Sequence, residues 1–101
     1  MRSLDTDEER QAMRQEGLGR HFVSIGFGNV VSVARVIAVL TTGSSPMKRL
    51  RDEARESGLL IDATEGRRTR SLIVMDSGHI VLSGIQSETI TNRLSGENEK
   101  P

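Results

Sequence analysis

Two short apolar runs constrain the fold more than any other feature of the chain. Leu72-Ile73-Val74-Met75 and Ile80-Val81-Leu82 are separated by Asp76-Ser77-Gly78, a turn of hairpin type. Each run is apolar on both faces of the pleat, whereas a strand in a one-sided sheet alternates. Both faces therefore need cover. The chain has 101 residues, enough for one domain. It has two Phe and no Trp or Tyr, so a monomer has little aromatic surface to bury. One helix of about twelve residues cannot cover the second face on its own. Oligomerisation is the usual remedy in small domains without disulfides or metals, and self-association is expected.

The remaining elements follow from local signals. Phe22-Val23-Ser24-Ile25 reads as a strand stopped by Gly26-Phe27-Gly28-Asn29. Residues 30–40 are dense in β-branched side chains and predict a long strand, bent or bulged near Arg35. Residues 41–45 form a loop, and Ser45-Pro46 predicts a helix over 46–57 with Ser45 as N-cap. Met47, Leu50 and Ala54 share one face of that helix, and Gly58 supplies its left-handed stop. Residues 59–63 resume strand character, and 64–70 are a polar, basic connection. Ser87 is the expected N-cap of a last helix, docked by Ile85, Ile90 and Leu94 and ended by Gly96. The fold class is α+β: a small antiparallel sheet with one central helix and a C-terminal helix. Residues 1–21 read as a polar, flexible extension with a possible short helix over 7–16, residues 22–95 as the domain, and 96–101 as a disordered tail.

Composition removes several function classes. Without Cys there is no disulfide scaffold, thiolate nucleophile or Cys-ligated metal. A cytoplasmic setting is expected, since small secreted domains are usually disulfide-stapled. No apolar run reaches the length of a membrane span, and residues 1–10 are too acidic and polar for a secretory or transit signal. Gly26-Phe27-Gly28 begins like a dinucleotide fingerprint, but the third glycine position is Val31 and a strand follows. Asp76, Ser77 and His79 fall in one tight turn, which cannot set the geometry of a catalytic triad. Asp62 and Glu65 flank the basic connection and are read as capping it or pairing with its arginines. No convergent metal-ligand spacing exists. No enzyme, cofactor, metal or small-molecule substrate is expected.

Charge is more informative when divided along the chain. The totals cancel, with 14 Lys+Arg against 14 Asp+Glu. Residues 22–86 nevertheless carry eight basic groups against six acids, while both flanks are slightly acidic. Residues 67–75 contain no acid at all, and they open with Arg67, Arg68 and Arg70. The local field governs binding more than the net charge does. Arginine suits phosphates because its planar fork donates two parallel hydrogen bonds. Gly66 removes a side chain where a phosphate could approach the backbone. Alternation puts Arg68 and Arg70 on one face if both are extended. Lys48 and Arg49 form a second basic group on the helix, where Asp52, Glu53 and Glu56 stand at pair-forming spacings.

These residues also carry a resemblance. The runs Ile25-Gly26-Phe27-Gly28-Asn29, Ser45-Pro46-Met47-Lys48-Arg49 and Leu60-Ile61-Asp62-Ala63-Thr64 resemble the RemA family. So do Gly66-Arg67-Arg68-Thr69-Arg70 and Val74-Met75-Asp76-Ser77 ahead of His79. RemA-like proteins are bacterial regulators of extracellular-matrix (biofilm) genes, and the resemblance spans residues 22–95. It implies a domain akin to the LytTR type, assembled into a closed octameric ring with duplex DNA along it. The family's paired arginines fall on Arg67 and Arg68. Its arginine after the Gly-Phe-Gly-Asn strand falls on Arg35, where an interface role and a DNA role are both open. Two departures stand out: Glu65 replaces an aromatic beside the arginines, and residues 1–21 are additional.

The reading is a homo-oligomeric, double-stranded-DNA-binding transcriptional regulator, cytoplasmic and nucleoid-associated. The expected DNA-binding residues are Arg67, Arg68, Arg70, Arg35, Lys48 and Arg49. The alternatives are an RNA-binding module, disfavoured by the shortage of aromatics for base stacking, and an oligomeric structural or adaptor protein without nucleic acid.

Overall fold

The computed structural model describes residues 21–96. The extension up to residue 20 and the tail from residue 97 lie outside the described residues. The domain is α+β and contains two sheets and two helices. Strands β1 (Phe22–Gly26) and β2 (Asn29–Ser32) form an antiparallel ribbon. A 3-10 turn, Val33–Arg35, leads into β3 (Val36–Leu40). Helix α1 (Ser45–Glu56), β4 (Leu60–Asp62), β5 (Ser71–Met75), β6 (Ile80–Ser83) and helix α2 (Ser87–Leu94) follow.

The second sheet has the order β3-β5-β6-β4. Strands β3, β5 and β6 pair antiparallel, but β4 runs parallel to β6, so the sheet is mixed rather than purely antiparallel. The cause is the β3–α1–β4 connection: a helical crossover returns the chain to its starting end, so β4 must point the same way as β3. The β5–β6 hairpin then fills the space between these two outer strands, which is a split β-α-β unit.

The expected long strand over residues 30–40 is two strands of different sheets. The chain bends at Arg35, as anticipated, and there it crosses from the ribbon to the main sheet. β-branched density marks extended backbone but carries no information on which neighbour a strand will choose. The N-cap of α1 is Ser44 rather than Ser45: the Ser44 Oγ accepts the Met47 N–H at 3.4 Å, and Pro46 fits the first turn, where its missing N–H has no partner to lose. The N-cap of α2 is Gln86 rather than Ser87, with no side-chain capping bond. Ser87 is already helical, and its carbonyl accepts the Thr91 hydroxyl at 2.8 Å.

Both faces of β5 and β6 are buried within one chain. On one face Leu72, Ile80 and Leu82 pack with Ala54 of α1, flanked by Leu50 and Leu40. On the other, Ile73 and Val81 meet Val23, Ile25 and Val31 of the ribbon and Ile90 of α2, with Ile85 and Leu94 alongside. The cover missing from the sequence reading is thus the chain's own ribbon and last helix, and the two-faced strands require no second copy. Arg93 ties α2 down by donating from Nη1 to the Ser24 carbonyl at 3.0 Å. Two fully buried serines join the layers. The Ser83 hydroxyl donates to the Ile25 carbonyl (2.8 Å) and accepts the Ile85 N–H (3.0 Å), and the Ser71 hydroxyl donates to the Ile85 carbonyl (2.8 Å).

Candidate nucleic-acid interface

The basic connection is a tightly held loop. At its start Asp62 accepts two hydrogen bonds through Oδ1, from the Thr64 hydroxyl at 2.6 Å and the Thr64 N–H at 2.9 Å. These bonds favour the charged carboxylate and hold Asp62 below its ordinary pKa, the hydroxyl bond contributing most and the backbone bond next. The Asn29 side-chain amide reaches the Ala63 carbonyl at 3.3 Å and fixes the loop to the ribbon. Glu65 (φ +54°) and Gly66 (φ +80°) then take left-handed backbone conformations. The reversal closes with the Arg67 N–H on the Thr64 carbonyl at 3.0 Å. The Arg70 N–H binds the Ser83 carbonyl at 2.8 Å and registers the loop's end against β6.

The arginines leave this frame in two directions. The Arg67 guanidinium lies over the Phe27 ring, 3.8 Å from its centroid, and also reaches the Glu65 backbone carbonyl at 3.5 Å. Phe27 sits at the tip of the ribbon, itself at φ +58° between two left-handed glycines, and the residue is 44% exposed. Gly84 lies against this stack: a Cβ there would make ordinary van der Waals contact, 3.4 Å from the Phe27 ring and 3.6 Å from the Arg68 carbonyl. Arg68 and Arg70 share a small polar recess with Thr41, Thr42, Thr69, Gln86 and Ser87, in accord with their expected common face. The recess includes the first residue of α2, where helix N–H groups lack intrahelical partners and favour negative charge. The Glu65 carboxylate pairs with no arginine among the described residues.

The other expected residues separate into two groups. Lys48 and Arg49 are exposed in the first turn of α1 and pair with no acid among the described residues. Arg51 and Arg55, further along, both face Asp52, at 3.9 and 3.4 Å. Helix α1 begins just beyond Leu40, which pairs with Leu72, so its first turn belongs to the end of the sheet where Arg70 enters β5. Arg35 does not. It lies beside the opposite end of β5, donating to Asp76 Oδ2 at 3.4 Å, a strand length of about 17 Å away. Asp76 is thereby engaged with Arg35, while the Ser77 hydroxyl contacts His79 Nδ1 at 2.7 Å. The residue that sequence reasoning missed is Phe27. Its signal was an aromatic set between two glycines in a chain with only two aromatics.

The chain has relatives among known proteins. A family model described as "Extracellular matrix regulatory protein A-like", RemA-like, matches residues 22–94. A relative from Thermodesulfovibrio yellowstonii, named "Putative regulatory protein", is 63% identical over 76 residues, covering 75% of this chain and 89% of the relative. A similarly named relative from Geobacillus kaustophilus is 54% identical over 78 residues (77% and 90% of the two chains). One from Cyanothece sp. is 62% identical over 71 residues (70% and 78%). No helix among the described residues is long and apolar enough to cross a membrane. The match to the model spans most of the chain and includes the whole arginine loop, and the chain belongs to the RemA-like family.

Proposed function

We propose that this protein is a transcriptional regulator of matrix-gene type that binds double-stranded DNA as a homo-oligomeric ring, octameric as in the resemblance. The activity is assigned to residues 22–95 and to a cytoplasmic, nucleoid-associated setting. One observation carries the reading: three arginines on one rigid loop, Arg67 braced on Phe27 and Arg68 and Arg70 around a polar recess, with none of them ion-paired among the described residues. Arg67, pre-positioned in this way, loses little entropy on gripping a phosphate. Lys48 and Arg49 extend the same basic end, and Arg35 is left out of it. Each protomer offers few cations, so a monomer binds weakly and an assembly gains by avidity. Identical loops at regular spacing suit shape and deformability readout better than base-by-base readout.

A gel shift with duplex DNA over a salt series, alongside a native mass measurement, tests this. If about 6–10 phosphates are neutralised per assembly, affinity falls roughly 10³–10⁵-fold between 50 and 200 mM salt. Duplex binding left undiminished by the paired Arg67→Ala, Arg68→Ala substitution refutes the site. The exposed Phe27 ring gives an RNA-binding reading its one foothold. One face of that ring is already taken by Arg67, which removes half of a base-stacking platform. Competition between duplex DNA and single-stranded RNA separates the two.

A further inference from the structure

Between Ala63 and Met75 the chain has one acid, Glu65, and it stands at the apex of the arginine loop. Of the two acids at the start of this loop, Asp62 is engaged by Thr64. The Glu65 carboxylate is exposed and pairs with no cation among the described residues. The neighbouring stack explains why. Arg67, two residues on, is held over the Phe27 ring and reaches only the Glu65 backbone carbonyl. The backbone supplies a second observation. Glu65 and Gly66 are the central residues of a turn closed by the Arg67 N–H on the Thr64 carbonyl, and both have positive φ. This is the pattern of a type I′ turn, whose first central position ordinarily takes Asn, Asp or Gly. A glutamate is held there against its backbone preference, an outlier of the kind that gathers at ligand-contacting sites.

We propose that Glu65 is a specificity-determining residue of the DNA interface: its carboxylate rejects duplex that offers it only phosphate and accepts a hydrogen bond from a base amino group, cytosine N4 foremost. The inference rests on the DNA part of the reading above and is independent of the ring. An ionised carboxylate is an acceptor only. The sugar–phosphate backbone of DNA carries negative charge and acceptors but no donor, so on a duplex the partners open to Glu65 are the amino groups of base edges. In the major groove these are cytosine N4 and adenine N6. Adenine N6 stands beside the N7 acceptor, which repels a carboxylate, whereas cytosine N4 has no acceptor beside it on its own base. Glu65 lies two residues from Arg67, so its charge acts on any phosphate gripped there and is only partly screened at a Debye length of about 8 Å. Without a base donor the carboxylate therefore lowers affinity; with one it is satisfied. The arginines read shape, and Glu65 adds one base to that reading.

The test takes the full chain, wild type beside Glu65→Gln and Glu65→Gly, through selection from a randomised duplex pool and titration on selected and unselected duplexes at low salt. Gln keeps the size, removes the charge and pairs with adenine N6 and N7. Gly suits the positive φ and removes the side chain. The wild type fixes a cytosine, preferring it by on the order of tenfold at that position. Glu65→Gln moves the preference to adenine, and Glu65→Gly abolishes it. Both variants bind the unselected pool more tightly than the wild type, because the repelling charge is gone. Circular dichroism confirms folding of each variant. Tighter binding with an unchanged selected sequence reduces Glu65 to a repelling charge and overturns base readout. Variants that match the wild type in affinity and selection overturn the proposal while leaving DNA binding by the arginines intact, and so does a wild type that binds duplex but fixes no cytosine. A wild type that binds no duplex at low salt refutes the DNA reading itself, a result distinct from all of these, and this proposal falls with it.

Discussion

Arg67, Arg68 and Arg70 are near neighbours in sequence but differ in how they are held. Arg67 is braced across the Phe27 ring, a contact typically worth about 0.5–1 kcal/mol at an exposed site. Phe27→Ala is therefore expected to weaken DNA binding by loosening Arg67, with little change in the salt slope, because no charge is removed. Removing Arg67 and Arg68 together should flatten that slope in a gel-shift series. Asp62 gives the loop a pH dependence of known sign. Its pKa is lowered in the folded chain, so its contribution is complete above the unfolded value and fades as pH falls through the folded one. The Thr64 amide resonance should follow a titration centred below the ordinary aspartate value. A Thr64 resonance indifferent to acid would show that the Asp62 cap does not operate. The three arginines were legible in the sequence because contiguous charge in an acid-free stretch is a local property. Phe27 was not, because its partnership with Arg67 is made between distant segments by the fold.

At the level of elements, helices and turns were legible and strand partnership was not. Gly58 and Gly96 end their helices at left-handed backbone positions (φ +74° and +80°), as their chemistry requires. The start of α1 was displaced by one residue, since Ser44 and Ser45 are both competent caps and only the backbone bend selects between them. Ser44→Ala should destabilise the domain by about 0.5–2 kcal/mol in a urea melt, and Ser45→Ala by much less. The division of residues 30–40 between two sheets could not be read locally. Leu72 and Ile73 show why the two-faced pattern misled. It correctly demanded cover on both sides of the sheet but was silent on the source, which proved to be the ribbon and α2. The fully buried Ile73 is the sharpest probe of that layer: Ile73→Ala should cost about 2–5 kcal/mol. Ser83→Ala should cost about 1–3 kcal/mol, because the buried Ile25 carbonyl and Ile85 N–H would both lose their partner.

For the whole molecule, the zero net charge conceals a basic end. The cations that serve the proposed function gather where β3 ends, α1 begins and β5 starts, while Arg35 stands at the far end beside an apolar cleft. On the proposed reading, the basic end is the surface offered to a polyanion. The split β-α-β unit has a consequence for how such a subunit comes into being. The first two strands of the main sheet to be synthesised, β3 and β4, are not neighbours; each waits for a strand made later. A growing polypeptide that has emerged only as far as β4 has no sheet to join, and assembly begins when the β5–β6 hairpin closes. That closure is local and takes on the order of 1–10 μs in hairpins of this kind. Substitutions in the hairpin should therefore slow refolding, whereas those confined to β4 should chiefly speed unfolding in stopped-flow experiments. The hairpin is thus the foundation on which the two outer strands are laid, one on each side.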